Sequence, residues 1–292
     1  MAPVAAILAV ALGVLAWLIV APWWRTRRRV ARMAQPLPPA AAAAIDGNVP
    51  AARYLPDNLR ARLESLVAAF VAEKQFIGCN GLVVTDEIRA TIAALASLLV
   101  LNRRGHYDEL HSVLVYPTPF WVEDEIEDEA GVVGRRRRIL SGEAWDSSRI
   151  ILSWEDVLEA ARFPGEGYNV ALHEFAHYLD AEGLGLAAGD RPLAAWADEL
   201  ADEFDALIAA VERGEDTFLD PYAAEDEAEF FAVATEDFFE RPVELLGAHP
   251  RLYELLQEFY ALDPAGWVER SAITATPSPE RKEPGLHSRG TP

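Results

Sequence analysis

The sequence predicts an α+β fold, mainly helical with a small sheet. Three observations carry this. Apolar residues recur at helical spacing through most of the chain. A few short apolar runs, such as Ser112 to Tyr116, read as strands. Strands and helices do not alternate regularly, which separates the pattern from repeated βαβ units. With 292 residues and 51% hydrophobic content, the chain can bury one domain of about 200 residues and still carry appendages.

The elements follow in order. Val4 to Pro22 carries no charge and no strongly polar side chain. At 1.5 Å per residue its roughly 19 residues approach the ~30 Å of a bilayer core. Trp17, Trp23 and Trp24 suit an interfacial belt, and Arg25, Arg27, Arg28, Arg29 and Arg32 follow directly. This predicts a transmembrane signal-anchor with a basic juxtamembrane segment over residues 1–33, the C-terminal side lying in the cytoplasm. A cleaved signal peptide fits less well, because the charge is on the wrong side and no small-residue cleavage site follows. Residues 34–52 are rich in Ala and Pro and read as a linker.

A domain over residues 53–270 comes next. Asp57 caps a helix with Leu59, Leu63, Leu66, Val67, Phe70 and Val71 at helical spacing. Cys79 sits in a turn before an expected strand at Leu82 to Val84. Thr85 caps a second helix through Ile88, Ile92, Leu95, Leu98 and Leu99. After the strand Ser112 to Tyr116, the acidic run 123–130 and the basic run Arg135 to Arg138 suggest an exposed loop or hairpin with offsetting charges. Strands are expected over Arg138 to Trp145 and Arg149 to Trp154, then helices over Trp154 to Arg162, Asn169 to Asp180, Leu193 to Arg213, Ala228 to Phe239 and Leu252 to Phe259. Residues 271–292 read as a disordered tail.

The net charge of −21 argues against nucleic acid as a direct partner. The single cysteine, Cys79, excludes an internal disulfide framework and a multi-cysteine metal site.

The chemistry concentrates in Asn169 to Asp180, which contains His173, Glu174 and His177 as H-E-x-x-H. On a helix, positions i and i+4 share a face, so both imidazoles can aim at one metal ion. Glu174 stands about 100° round the helix, within reach of a water on that metal. Asn169 is suited to cap this helix and Gly183 to stop it. A catalytic zinc takes a third protein ligand. The extended pattern with a third histidine would need His at position 183, which is Gly183. A carboxylate is therefore expected, and Glu229 and Glu236, two turns apart on one helix face, both qualify; spacing does not decide between them.

Several blocks resemble those of the Mlc titration factor A family: Tyr116-Pro117-x-x-Phe120, Ser141-Gly142-x-x-Trp145, Asn169 through Asp180, Tyr222-Ala223-Ala224 through Glu229-x-Phe231-Ala232-Val233, and Glu236-x-Phe238-Phe239. The resemblance covers roughly Leu55 to Asp263. These bacterial zinc-dependent peptidases have a catalytic core similar to that of anthrax lethal factor. The resemblance implies a zincin-like fold, Zn²⁺ as cofactor, Glu229 as the third ligand beside His173 and His177, and Tyr222 as the catalytic partner of Glu174. It implies hydrolysis of a peptide or protein substrate through a metal-activated water with Glu174 as general base, Tyr222 stabilising the oxyanion. Glu236 and Asp180 are then candidates to orient the ligands. The N-terminal anchor departs from the family pattern and would place this copy on the bacterial inner membrane, single-pass, catalytic domain in the cytoplasm. The alternative is a non-enzymatic interaction protein that sequesters a transcriptional regulator.

Overall fold

The computed structural model describes residues 2–103, 106–127, 133–140, 142–146, 148–181 and 193–275. Helix α1 (Ala2–Met33) is continuous. Among the described residues no helix is long and apolar enough to cross a membrane, so the transmembrane helix expected at Val4 to Pro22 finds no support in the fold. The C-terminal end of α1 is fastened to the domain instead. Arg29 donates to Glu73 at 2.8 Å and to Asp108 at 2.7 Å, and Met33 and Leu37 pack against the core. One arginine of the expected juxtamembrane cluster is thus a docking residue.

The Ala/Pro-rich linker is corrected to a packed element. Helix α2 (Pro39–Asn48) begins with proline at its first turn, where the missing N–H costs nothing. Ala41, Ala44 and Ile45 are buried, and Asn48 bonds Thr91 at 3.0 Å. A 3₁₀ turn (Pro50–Tyr54) leads into α3 (Asp57–Glu73), which buries Leu63, Leu66, Val67 and Phe70; Asp57 lies in its first turn and makes no side-chain cap bond. The strand expected at 82–84 forms earlier, as β1 (Gln75–Gly78), and Cys79 follows it; Asn80 and Gly81 then turn the chain with positive φ. Thr85 caps α4 (Asp86–Leu99) as expected, its Oγ1 accepting from Ile88 N–H at 3.2 Å. All residues from Thr91 to Leu99 are buried, with α2 and α3 packed against this helix.

Strand β2 (Ser112–Tyr116) is followed by a hairpin, β3 (Phe120–Glu127) and β4 (Val133–Leu140). Its register sets Glu123, Asp124 and Glu125 opposite Arg137, Arg136 and Arg135. β5 (Gly142–Asp146) and β6 (Arg149–Ser153) complete the strands. The main sheet has the order β1-β2-β6-β5, parallel except for the antiparallel edge strand β5. Ser141, within one family-like block, lies outside the described residues, as do 182–192, with Gly183, and the tail from 276.

Helix α5 (Trp154–Arg162), capped by Ser153, leads to α6 (Val170–Ala181), which packs on α4, α8, β5 and β6. Then come α7 (Leu193–Glu212), a 3₁₀ turn (Pro221–Ala224), α8 (Glu227–Glu240), α9 (Pro242–Ala248), α10 (Pro250–Tyr260) and α11 (Pro264–Ala275). Helices α9 and α11 are additions to the expected set. On α6, Phe175 and Tyr178 enter an edge-to-face aromatic group with Tyr107 and Phe70. The opposite face of α6, carrying His173 and His177, is left for α8.

Candidate metal centre

The helix that carries H-E-x-x-H starts where the sequence predicts. Asn169 Oδ1 accepts from Leu172 N–H at 3.1 Å, satisfying one of the free donors of the first turn. The preceding loop reaches α8 closely because Gly167 has no side chain. Its φ is +81°, and a Cβ there would meet Asp237 Oδ1 and Arg241 Nε at 2.5 Å. α8 starts on an equally firm cap: Asp226 Oδ1 accepts from Ala228 and Glu229 N–H, both at 2.9 Å.

Between these two helices three ligand-type atoms converge. His173 Nε2 and His177 Nε2 are 3.0 Å apart. Glu229 Oε2 lies 3.0 Å from the first and 3.4 Å from the second, yet it is buried without an aligned hydrogen-bond donor. A buried carboxylate oxygen without a donor is costly, and a cation shared with the two imidazoles removes that cost. His173, His177 and Glu229 form a metal-competent group, their ligand atoms all within 4.8 Å of one another. The set of two imidazoles and one carboxylate suits zinc and leaves room for a fourth, non-protein ligand. The residues therefore fit the metal.

Electrostatics agree. Burial works to lower His173, but Glu229 and Glu236 outweigh it and hold the imidazole up at about 10. Burial would raise Glu229, and the His173 and His177 rings overcome this and hold it well below the usual carboxylate range. Positive charge is wanted here, and in the absence of a metal ion a proton supplies it.

The two acids that spacing left open both reach His173, on opposite ring nitrogens. Glu229 faces Nε2. Glu236 Oε1 sits 2.8 Å from Nδ1, and its other oxygen accepts the Asn169 N–H. Glu236 is almost fully buried. By engaging Nδ1 it leaves Nε2 as the nitrogen aimed at the ligand group, able to offer a lone pair once a metal replaces the proton there. Asp180 stands apart: it is exposed and makes no hydrogen bond to either histidine among the described residues. Asn169, read in the sequence only as a cap, also donates its side-chain N–H to Glu240 Oε1 at 2.8 Å. It thus joins both helices.

A cleft of about 580 Å³ opens beside the group, lined by His173, Glu174, Tyr222, Asp220, Tyr168 and Phe218 among others. Glu174 is 7% exposed at its wall. The Tyr222 ring lies 6.3 Å from the His173 ring, centre to centre. Asp220 Oδ1 accepts the Tyr222 N–H at 2.9 Å and holds the 3₁₀ turn in place. Burial, then the charge of Glu229, push the Tyr222 phenol well above its ordinary range, so it stays a proton-bearing donor. Arg241 supports the wall from behind: it pairs with Asp237 at 2.6 Å, and its guanidinium lies 4.3 Å from the Phe218 ring.

Known proteins share this arrangement of sequence. A protein of Pectobacterium atrosepticum named Mlc titration factor A is 39% identical over 225 residues, 74% of this chain and 84% of its own. One of the same name from Yersinia pestis (strain Pestoides F) is 32% identical over 243 residues, 80% of this chain and 89% of its own. An uncharacterized protein of Synechocystis sp. is 36% identical over 272 residues, covering 90% and 98% of the two chains. Residues 21–261 match the family described as glucose-regulated metallo-peptidase M90, and with a His-His-Glu group set at the mouth of a cleft, the chain belongs to that metallopeptidase family.

Proposed function

We propose that the chain is a zinc-dependent peptidase whose metal is held by His173, His177 and Glu229. The observation that supports it most is the convergence of His173 Nε2, His177 Nε2 and the buried Glu229 Oε2, all within 4.8 Å of one another. A bound zinc would supply polarisation of the scissile carbonyl and acidification of the attacking water. Glu174 takes a proton from that water as its oxygen bonds to the carbonyl carbon, and passes it to the amine nitrogen as the C–N bond breaks. Tyr222 donates its phenolic hydrogen to the carbonyl oxygen as that atom gains negative charge. Glu236 holds His173 by Nδ1 throughout.

The test is Glu174→Gln, assayed on a peptide library with zinc content measured in the same preparation. The expected result is a fall in hydrolysis of roughly 10²–10⁴-fold with zinc retained. Full activity in that variant would remove Glu174 as the base.

A second reading is supported by the name of the relatives, a titration factor for Mlc: the chain binds a transcriptional regulator without cutting it. A pull-down of a partner that survives His173→Ala, together with no cleavage of any peptide, favours that reading. For localisation we propose attachment to the bacterial inner membrane by α1, with the domain in the cytoplasm. The support is the charge-free run Val4 to Pro22, the exposed Trp17, Trp23 and Trp24, and the arginines that follow. Recovery of the chain in the soluble fraction at low salt would overturn it.

A further inference from the structure

A second cavity, about 420 Å³, lies on the other side of the loop that precedes α6. It has no metal ligand in its wall. Tyr54 enters from the turn after α2, Phe239 and Glu240 from the end of α8, and Trp267 from α11, with Pro242 and Pro264 closing the edges. Phe239 and Trp267 are almost wholly buried, whereas Tyr54 is 42% exposed at the mouth. Much of this wall is apolar and aromatic; its charged members are Arg53, Glu244 and Glu240.

Glu244 is exposed, which leaves Glu240 as the half-buried carboxylate of the cavity. One carboxylate oxygen accepts from Asn169 Nδ2 at 2.8 Å; the other has no donor among the described residues. The charges that act on Glu240 are those of Glu236 and Asp237, both of its own sign. Arg53 also lines the cavity, but its Nε and Nη2 are given to the carbonyls of Asp46 and Gly47 at 2.7 and 2.8 Å. A carboxylate partly withdrawn from water without a counter-charge is unfavourable. Burial pushes this one up to about 7, so a proton or a cation is drawn to it. Aromatic faces beside a carboxylate are the surroundings in which organic ammonium ions bind, through the ring quadrupole and the opposite charge together.

We propose that this cavity is a binding site for a small organic ammonium ion with an apolar body, its charge on Glu240 and its body against Tyr54, Phe239 and Trp267. The site is separate from the metal cleft but joined to it by hydrogen bonds. Glu240 is bonded to Asn169, Asn169 to Glu236, and Glu236 to the Nδ1 of His173.

Calorimetric titration of the zinc-loaded full chain with phenethylammonium tests this without reference to hydrolysis. Its neutral counterpart, phenethyl alcohol, is the control. The ammonium is expected to bind at least about tenfold more tightly than the alcohol, and Glu240→Gln to abolish that preference, at about 1.4 kcal/mol per factor of ten. Tyr54→Leu, at the exposed mouth, should weaken the ammonium by about two- to fivefold if the ion sits here rather than in the metal cleft. No binding, equal binding of the alcohol, or an ammonium affinity indifferent to Tyr54→Leu would overturn the proposal.

Discussion

Helix α8 has two faces that stabilise the molecule in opposite ways. Glu229, Glu236 and Glu240, at i, i+7 and i+11, point to α6 and the loop before it. Phe231 and Phe238, about half a turn round, point to α10. The aromatic face needs nothing further. Phe238 lies 5.1 Å from Tyr253 and 5.6 Å from Tyr260, Phe231 lies 5.0 Å from Phe259, and Thr235 Oγ1 meets Tyr260 Oη at 2.8 Å. The acidic face buries carboxylates whose charges repel, and is complete only with a cation beside His173. The lesson is a division of labour within one helix: one side supplies the stability that lets the other hold an incomplete, chemically useful arrangement.

The largest expected effect breaks the aromatic face. Phe238→Ala should cost about 3–5 kcal/mol, seen as a lower midpoint in chemical denaturation, because its buried ring leaves a cavity. Next is pH, which acts on the buried carboxylates of α8. Burial raises Asp237 and Glu240, each to about 7. The folded state therefore holds their protons more tightly than the unfolded state, and stability falls as pH rises from about 4.5 through about 7. In the metal-free chain, Glu240→Gln should remove its share of that slope, up to about 3 kcal/mol at 1.36 per pKa unit. Melting curves at pH 5 and pH 8 check this; equal slopes in both proteins would count against it. Glu236→Gln should weaken zinc by about 10–100-fold in a competitive chelator titration, since Nδ1 loses its anionic partner. The smallest effect is at the cap: Asp226→Ala should cost about 1 kcal/mol in the same denaturation assay.

These regions were not equally legible in the sequence. The pairing of His173 with His177 follows from helical spacing alone. The choice between Glu229 and Glu236 did not, because both lie on one face. They differ in which nitrogen of His173 each meets and in that Glu229 alone also reaches His177, and both are set by the tertiary placement of α8. Helix α2 reads as a linker in the sequence because alanine and proline carry little pattern. Its burial is that of small residues brought close, Ala41 and Ala44 among them, against α4. Pro242 reads as the end of the helix before it, whereas it also opens α9 at its first turn. Strand β1 gives little signal in the sequence because its pattern is mostly exposed, with Phe76 alone buried.

Asn169 has one more consequence. Its side chain and backbone tie the start of α6 to two carboxylates on α8, so the distance between the ligand-bearing helices is set by a local clasp and not by the chain that connects them. The stretch from Ala181 to Asp216 is thereby released from holding the ligand geometry, whereas Asp220, Tyr222 and Asp226 must keep their places. Changes of length before Thr217 are therefore expected to leave the ligand atoms where they are.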